Sequence, residues 1–388
     1  MVRTLAVVVD GTTEAGLRAG AKQVLAHIRP QWQHHNLHFK TYTEGVTNTL
    51  VGVWCGGQSE QVLVRVYGNN THLFIDRQQE INTMKVVHEA GCGPEVFAAF
   101  TNGLCYAFTS GVPLTFRDVT KEPVWRAVTR KAARFHKIQA GDRQKPMLFP
   151  KLRQFLSLLP DSCTDSKKQR RVEARGCTKQ QLVRLTDELE SHLVPLGCPV
   201  VFCHNDLVMR NIVWDPDTIS ASFIDYEYAA PNFQPFDIAN HFNEYSGMEE
   251  LDFSLYPSPG MQRAWLRSYL AHYCGLPEEK VSTEEVELWR GWVTKFTLAS
   301  HLFWGVWAFL QACHSSIDFD YFEYGFLRLA EYNKRKQEVF DLVLQPNASP
   351  SVALTSPSSA CISTSANSQT TANIPTPAEA PTTVNNTS

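Results

Sequence analysis

Two short apolar strands that run straight into acids constrain this chain more than anything else in it. Residues 199–202 read PVVF and lead into CHNDLVMRN; residues 222–224 read SFI and lead into DYEY. Asp206, next to a buried strand, is held in place. After the loop Leu207 to Arg210, Asn211 offers a neutral oxygen, and Asp225 ends the next strand, able to point at the same place. An acid that can accept a hydroxyl proton, with an Asn and an Asp suited to Mg²⁺, is what phosphoryl transfer needs, because positioning and charge neutralisation do most of the work there. Taken singly, each of these residues is an ordinary turn former. Their spacing, and the strands on both sides, give the set its meaning.

The composition excludes several other classes. With 388 residues, 43% of them hydrophobic, the chain can bury a core of two or three layers or lobes. A net charge of −3 gives no general attraction to nucleic acid or anionic lipid. The basic cluster KKQRRVEAR, residues 167–175, contains a Glu and reads as a solvated face. Ten cysteines show no repeated CxxC, and Cys55, Cys105 and Cys203 lie in apolar runs. A zinc site on Cys203, His204 and His241 would need a second Cys/His pair at ligand spacing, which is missing. The N-terminal apolar run is too short for a signal-peptide core, so a cytoplasmic setting is the default. Residues 296–313, FTLASHLFWGVWAFLQAC, approach the length of a membrane span. Ser300, His301 and Gln311 interrupt them, and the flanks lack a positive-inside bias, so they read as a buried helix without stable membrane insertion.

Along the chain, the first 110 residues are strand-rich. TLVGVWC (49–55) and QVLVRVYG (61–68) form a hairpin around Gly-Gly, and LCYAFTSG (104–111) is a further strand. Between them Ile81, Met84 and Val87 keep helical spacing up to a capping Gly91. From residue 111 helices dominate. Trp125, Val128, Ala132, Phe135 and Ile138 share one face after Pro123, and helical patterns return at 179–195, 261–274, 283–312 and 319–343. Residues 345–388 are Ser, Thr, Pro, Ala and Asn with almost no large apolar side chain, which predicts a disordered tail. The expectation is an α+β, two-lobed fold: residues 1–110 as a small antiparallel β-sheet lobe with a hinge, residues 111–344 as a larger, mostly helical lobe.

The motif HND-x4-N followed by a strand-end Asp has the order and spacing of the protein-kinase catalytic loop and metal motif, with DYEY in place of DFG and no APE segment. HND-x4-N, FIDYEY and DIANHFNE together resemble the choline/ethanolamine kinase family, and FIDYEY with NHFNE looks most like its ethanolamine kinases. RVYGNNTHLFIDRQQE, NGLCYAF, SLYP and SSIDFDYFEY extend the likeness over residues 20–340.

That resemblance implies ATP and Mg²⁺ as cofactors, with Asp206 as the base and Asn211, Asp225 and Glu227 around the metal. It implies a phosphate loop at residues 43–52 using Gly45, Thr47 and Asn48, with Arg65 on phosphate and Glu80 as its ion-pair partner. Cys105 to Pro113 would be the hinge that reads adenine, with Ala107 where relatives often carry an acid. The amine pocket would use Asp206, Tyr228, Glu244, Tyr245, Trp304, Trp307, Phe319 and Tyr324, holding an ammonium between acids and aromatic faces. Asp237 and Asn240 would brace the catalytic loop, and His241 reads equally as a core histidine. The implied partner is a small molecule, ethanolamine, and not nucleic acid; a homodimer stays open. A choline kinase is the nearest rival reading. An aminoglycoside-type phosphotransferase would call for an acid-rich cleft rather than a paired-Trp helix. A non-catalytic scaffold would be favoured by loss of Asp206, Asn211 or Asp225, and all three are present.

Overall fold

The computed structural model describes residues 2–42, 48–57, 60–68, 76–163, 166–248, 250–315 and 319–344. Gly45, Thr47 and the tail from residue 345 lie outside the described residues, and of Asn48 only the backbone lies inside.

The β-branched runs form the expected small-lobe sheet. Strands β1 (Arg3–Leu5), β2 (His38–Tyr42), β3 (Asn48–Trp54), β4 (Val62–Tyr67), β5 (Val96–Phe100) and β6 (Gly103–Ala107) pair in the order β1-β5-β6-β4-β3-β2. The expected antiparallel sheet needs one correction: β1 pairs parallel with β5, Arg3 opposite Ala98. The long connection from β1 through β4 supplies the crossover that a parallel pair requires. Part of that connection is helix α1 (Glu14–Ile28), which the strand-rich reading did not foresee; its buried Leu17, Ala21, Val24 and Leu25 pack on the sheet. Helix α2 (Arg77–Glu89) follows the predicted spacing and ends at Gly91, whose φ of 65° suits a helix terminus.

Strand β7 (Val112–Pro113) leads into the large lobe. Gly111 enters it at φ 121°, where a Cβ would sit 2.5 Å from the Trp214 carbonyl oxygen, so only glycine fits. Helices α3 (Glu122–Phe135), α4 (Leu148–Leu158), α5 (Ser166–Ala174) and α6 (Lys179–Leu193) come next. The five residues expected on one face of α3 and its exit are all buried. Two small sheets carry the motif loops. Strand β8 (Val200–Cys203) pairs antiparallel with β11 (Ala230–Phe233), while β9 (Ile212–Asp215) pairs with β10 (Ser220–Phe223) and β7. Helices α7 (Gln234–Asn243), α8 (Pro259–Cys274), α9 (Thr283–His314) and α10 (Tyr321–Asp341) complete the lobe.

The apolar run near residue 300 is the middle of α9, which packs against α4, α6, α7, α8 and α10. Surrounded by helices, it is apolar on every side for the reason a core helix is. Among the described residues, no helix is long and apolar enough to cross a membrane. Two apolar cores result. One belongs to the small lobe alone, whereas Met84, Val87, Cys92 and Leu104 join the core of the large lobe and tie the two together.

Candidate active site

The segment between β8 and β9 must turn sharply while staying buried, so its backbone groups need partners. Asp237 on α7 supplies them. Its carboxylate accepts the N–H of His204 (2.9 Å), the N–H of Asn205 (2.7 Å) and Nε2 of His136 (2.9 Å). Burial alone would raise this carboxyl, but the hydrogen bond and charge of His136, with the rest of this set, hold it below its ordinary value. Asn205 takes up a left-handed φ of 67°, fixed by side-chain N–H bonds to the carbonyls of Tyr228 and Ala230. Asn240 Nδ2 donates to the Asn205 carbonyl, and His204 bonds the Ile224 carbonyl at 3.0 Å, linking both motif loops. His241 contacts the Leu207 carbonyl at 3.2 Å. His204 and His241 thus hold backbone, and with Cys203 they form no cluster of metal-ligand spacing among the described residues.

The turn presents Asp206 to a cavity of about 670 Å³, which Asn211, Asp225 and Glu227 also line. Asn211 Nδ2 donates to Asp206 Oδ2 at 2.9 Å and to the Asp206 carbonyl at 3.0 Å, so its amide oxygen is the ligand atom it can offer. Part of Asp206 opens on the cavity, yet protein surrounds its carboxyl. Burial, with the nearby charges of Asp225 and Glu244, outweighs the pull of Arg210 and Asn211 and pushes it up to about 7. Asp225 leaves β10 at φ 63°, a strained conformation for a residue with a Cβ.

From the small lobe, Arg65 on β4 pairs with Glu80 and lies 3.5 Å from Asp225 Oδ1, which joins the lobes electrostatically. Glu80 also accepts from Arg77 at 3.0 Å, and Arg77 stacks 4.0 Å from the Tyr67 ring and reaches Glu227 at 4.0 Å. Sequence reasoning missed Arg77; its spacing of three from Glu80 on one helix was the available signal.

Ligand oxygens of Glu80, Asp225 and Glu227 come within 4.8 Å of one another. Glu227 Oε2 is buried without a hydrogen-bond partner, and burial and the Asp225 charge raise the Glu227 carboxyl. A cation would relieve both conditions, and hard oxygens in this setting fit Mg²⁺. Glu80 already serves two arginines, which leaves Asp225, Glu227 and the Asn211 oxygen as the fitting set.

In the same cavity Trp304 and Trp307 meet edge-on, ring centres 5.4 Å apart, and Tyr228 meets Trp304 at 5.5 Å. Their N–H groups are pinned: Trp304 Nε1 donates to Asn240 Oδ1 (2.7 Å) and Trp307 Nε1 to the Tyr228 hydroxyl (3.0 Å). The rings are thereby fixed in orientation. Glu244 and Tyr324 line the same cavity. A feature not foreseen is the buried Arg328 of α10, which pairs with Glu244 at 2.9 Å and donates to the Tyr324 hydroxyl at 3.2 Å.

Several expected site residues stand elsewhere. Tyr245 does not line the cavity: it is buried against His241 and Phe242, its hydroxyl 3.5 Å from the Val119 carbonyl. Phe319 packs against Tyr321 and Tyr324 behind the lining. Glu80, also outside the lining, holds its expected place as the ion-pair partner of Arg65. Ala107 pairs with Val62 inside the sheet and its N–H donates to the Glu95 carbonyl; of the hinge, Tyr106, Phe108, Thr109, Gly111, Val112 and Pro113 reach the cavity instead.

A small sheet lobe over a helical lobe, with a buried Arg–Glu pair above and a braced Asp/Asn loop below, defines a protein of the protein-kinase-like fold. A sequence model of the choline/ethanolamine kinase family matches residues 39–333, and the chain belongs to that family. Human ethanolamine kinase 1 is 39% identical over 344 residues, spanning 87% of this chain and 76% of that protein. Ethanolamine kinase 1 of Mus musculus is 39% identical over the same length, spanning 87% and 94%. A solved Plasmodium vivax ethanolamine kinase is 27% identical, with a TM-score of 0.72 over 83% of this chain and 89% of that one.

Proposed function

We propose that this protein transfers the γ-phosphoryl group of ATP to the hydroxyl of ethanolamine, giving phosphoethanolamine, the first step of the CDP-ethanolamine route to phosphatidylethanolamine. The observation that carries the reading is that Asp206, Asn211 and Asp225 share the lining of one cavity with Trp304, Trp307, Tyr228, Tyr324 and Glu244. Relatives named ethanolamine kinases support the choice of amine.

Asp206 accepts the hydroxyl proton as the oxygen bonds to phosphorus, and the bond to the departing ADP breaks. The Asn211 hydrogen bond holds its carboxylate toward the hydroxyl. Arg65 binds phosphate from above with a guanidinium fixed by Glu80. Asn211, Asp225 and Glu227 would hold Mg²⁺, which neutralises phosphate charge when bound. The aromatic end takes the ammonium against ring faces, and a primary ammonium also donates hydrogen bonds to carboxylates, which a trimethylammonium cannot. In this reading residues 1–110 are the nucleotide lobe with its hinge, 111–344 the catalytic and amine lobe, and 345–388 a separate tail. The protein works in the cytoplasm on a small molecule.

The test is ATP consumption by the purified protein with Mg²⁺, comparing ethanolamine and choline at matched concentrations. Faster turnover of ethanolamine is expected. Faster turnover of choline would keep the mechanism and overturn the substrate, and turnover of neither would overturn the function.

A further inference from the structure

We infer that Arg210, which no motif assignment above uses, is a catalytic residue that binds the phosphoryl group as it passes to the acceptor and stays on it in the product. The inference rests on the function proposed above and deepens it.

Arg210 belongs to the single turn Met209–Asn211 that closes the catalytic loop, next to Asn211 and after the loop that begins at Asp206. It lines the cavity together with Asp206, Asn211, Asp225 and Tyr324. Its charge acts on both Asp206 and Tyr324, so it lies within electrostatic reach of the base and of the aromatic lining. Other arginines around the site are already committed: Arg65 to Glu80 and Asp225, Arg77 to Glu80, Arg328 to Glu244 and Ser300. Arg210, by contrast, is exposed to the cavity and, among the described residues, donates to no protein oxygen and pairs with no carboxylate.

An arginine left without a partner beside four carboxylates (Asp206, Asp225, Glu227 and Glu244) is not explained by binding a cationic amine. Its planar fork matches two oxygens of a tetrahedral phosphate. The charge count agrees. With Asp225 and Glu227 facing a metal and Glu244 facing Arg328, Arg210 remains to meet the dianionic phosphoryl group once that group leaves the nucleotide. The same charge repels the ammonium from the phosphate end, so the amino alcohol enters hydroxyl first.

The experiment compares wild type, Arg210→Gln and Arg210→Lys by steady-state kinetics, thermal unfolding, and calorimetric titration with phosphoethanolamine and with ethanolamine. Arg210→Gln is expected to lower kcat roughly 10- to 100-fold with KM for ethanolamine unchanged. Its Kd for phosphoethanolamine should rise about tenfold, the scale of one charge-assisted hydrogen bond, while its Kd for ethanolamine and its Tm stay put. Arg210→Lys should recover part of both losses. A folded Arg210→Gln with wild-type kcat and product affinity overturns the inference. So does a variant that loses Tm and ethanolamine affinity together with kcat, because that pattern reports a structural role. Wild-type protein inactive on both amines would overturn the proposed function instead, and the phosphoethanolamine affinities would still decide the role of Arg210.

Discussion

At Asp206 two demands conflict. Burial and neighbouring acids push its carboxyl up to about 7, so the fold would be easier to hold without it. A base near neutral pKa, however, is well matched to taking a proton at neutral pH. Asp206→Ala is therefore expected to lower kcat by roughly 1,000-fold, with a Tm at pH 8 no lower than wild type. Activity assays and thermal unfolding check both halves, and near-normal turnover would remove Asp206 as the base. Asp206, Asn211 and Asp225 were legible in the sequence because their spacing survives from chain to site. Arg328 was not, because its partner Glu244 is 84 residues away and only the packing of both α7 and α10 on α9 brings them together. Glu244 and Tyr245 show the same limit at closer range. They are neighbours in one turn, and the backbone sends one to the cavity and the other into the core.

Elements were legible where one face is buried and one is wet, as in α2 and α3. Helix α7 escaped because all ten of its residues are buried, and its polar ones brace the catalytic loop, so no stripe of period 3.6 remains. Helix α1 was hidden by Gly16 and Gly20, poor helix formers, though Gly20 is where Val9 packs closely. In α4, Pro150 reads as a breaker but sits in the first turn, where no N–H is needed. The end of α10 shows how a single charge can secure an element. Lys295 of α9 is buried and its Nζ donates to the carbonyls of Val339 (2.9 Å) and Phe340 (3.3 Å), two acceptors that the helix leaves open near its end. Lys295→Met keeps the apolar stem and removes the donor, so denaturant unfolding should show a loss of about 2 kcal/mol. Turnover should not change, since Lys295 lies away from the cavity; a wild-type unfolding midpoint would show the cap to be idle.

Across the whole molecule, the large lobe buries histidines that the unfolded chain would protonate. Burial holds His204 and His301 below their ordinary value, with Arg328 and Arg335 adding to the effect at His301, and burial brings His241 to about 4. Between that value and 6.5, the unfolded chain takes up a proton at His241 that the folded chain refuses, so stability falls as pH falls, by up to about 1.4 kcal/mol per pH unit for this group. His204 and His301 act in the same direction. Asp206 and Glu227 act the other way, because their raised folded values let the native state bind protons first in the same window. The two acids therefore offset part of the loss that the buried histidines cause on acidification. The Tm of the protein without ligands should therefore decline only gently from pH 7 to pH 5. A bound Mg²⁺–nucleotide that keeps the two acids ionised removes their compensation, and the decline should then become steeper. Thermal unfolding across that range, with and without Mg²⁺ and ATP, measures both slopes. Equal slopes would mean that the acids facing the cavity are not the groups that the ligand holds, whereas a steeper loaded curve ties the stability of the large lobe to the chemistry at its upper wall.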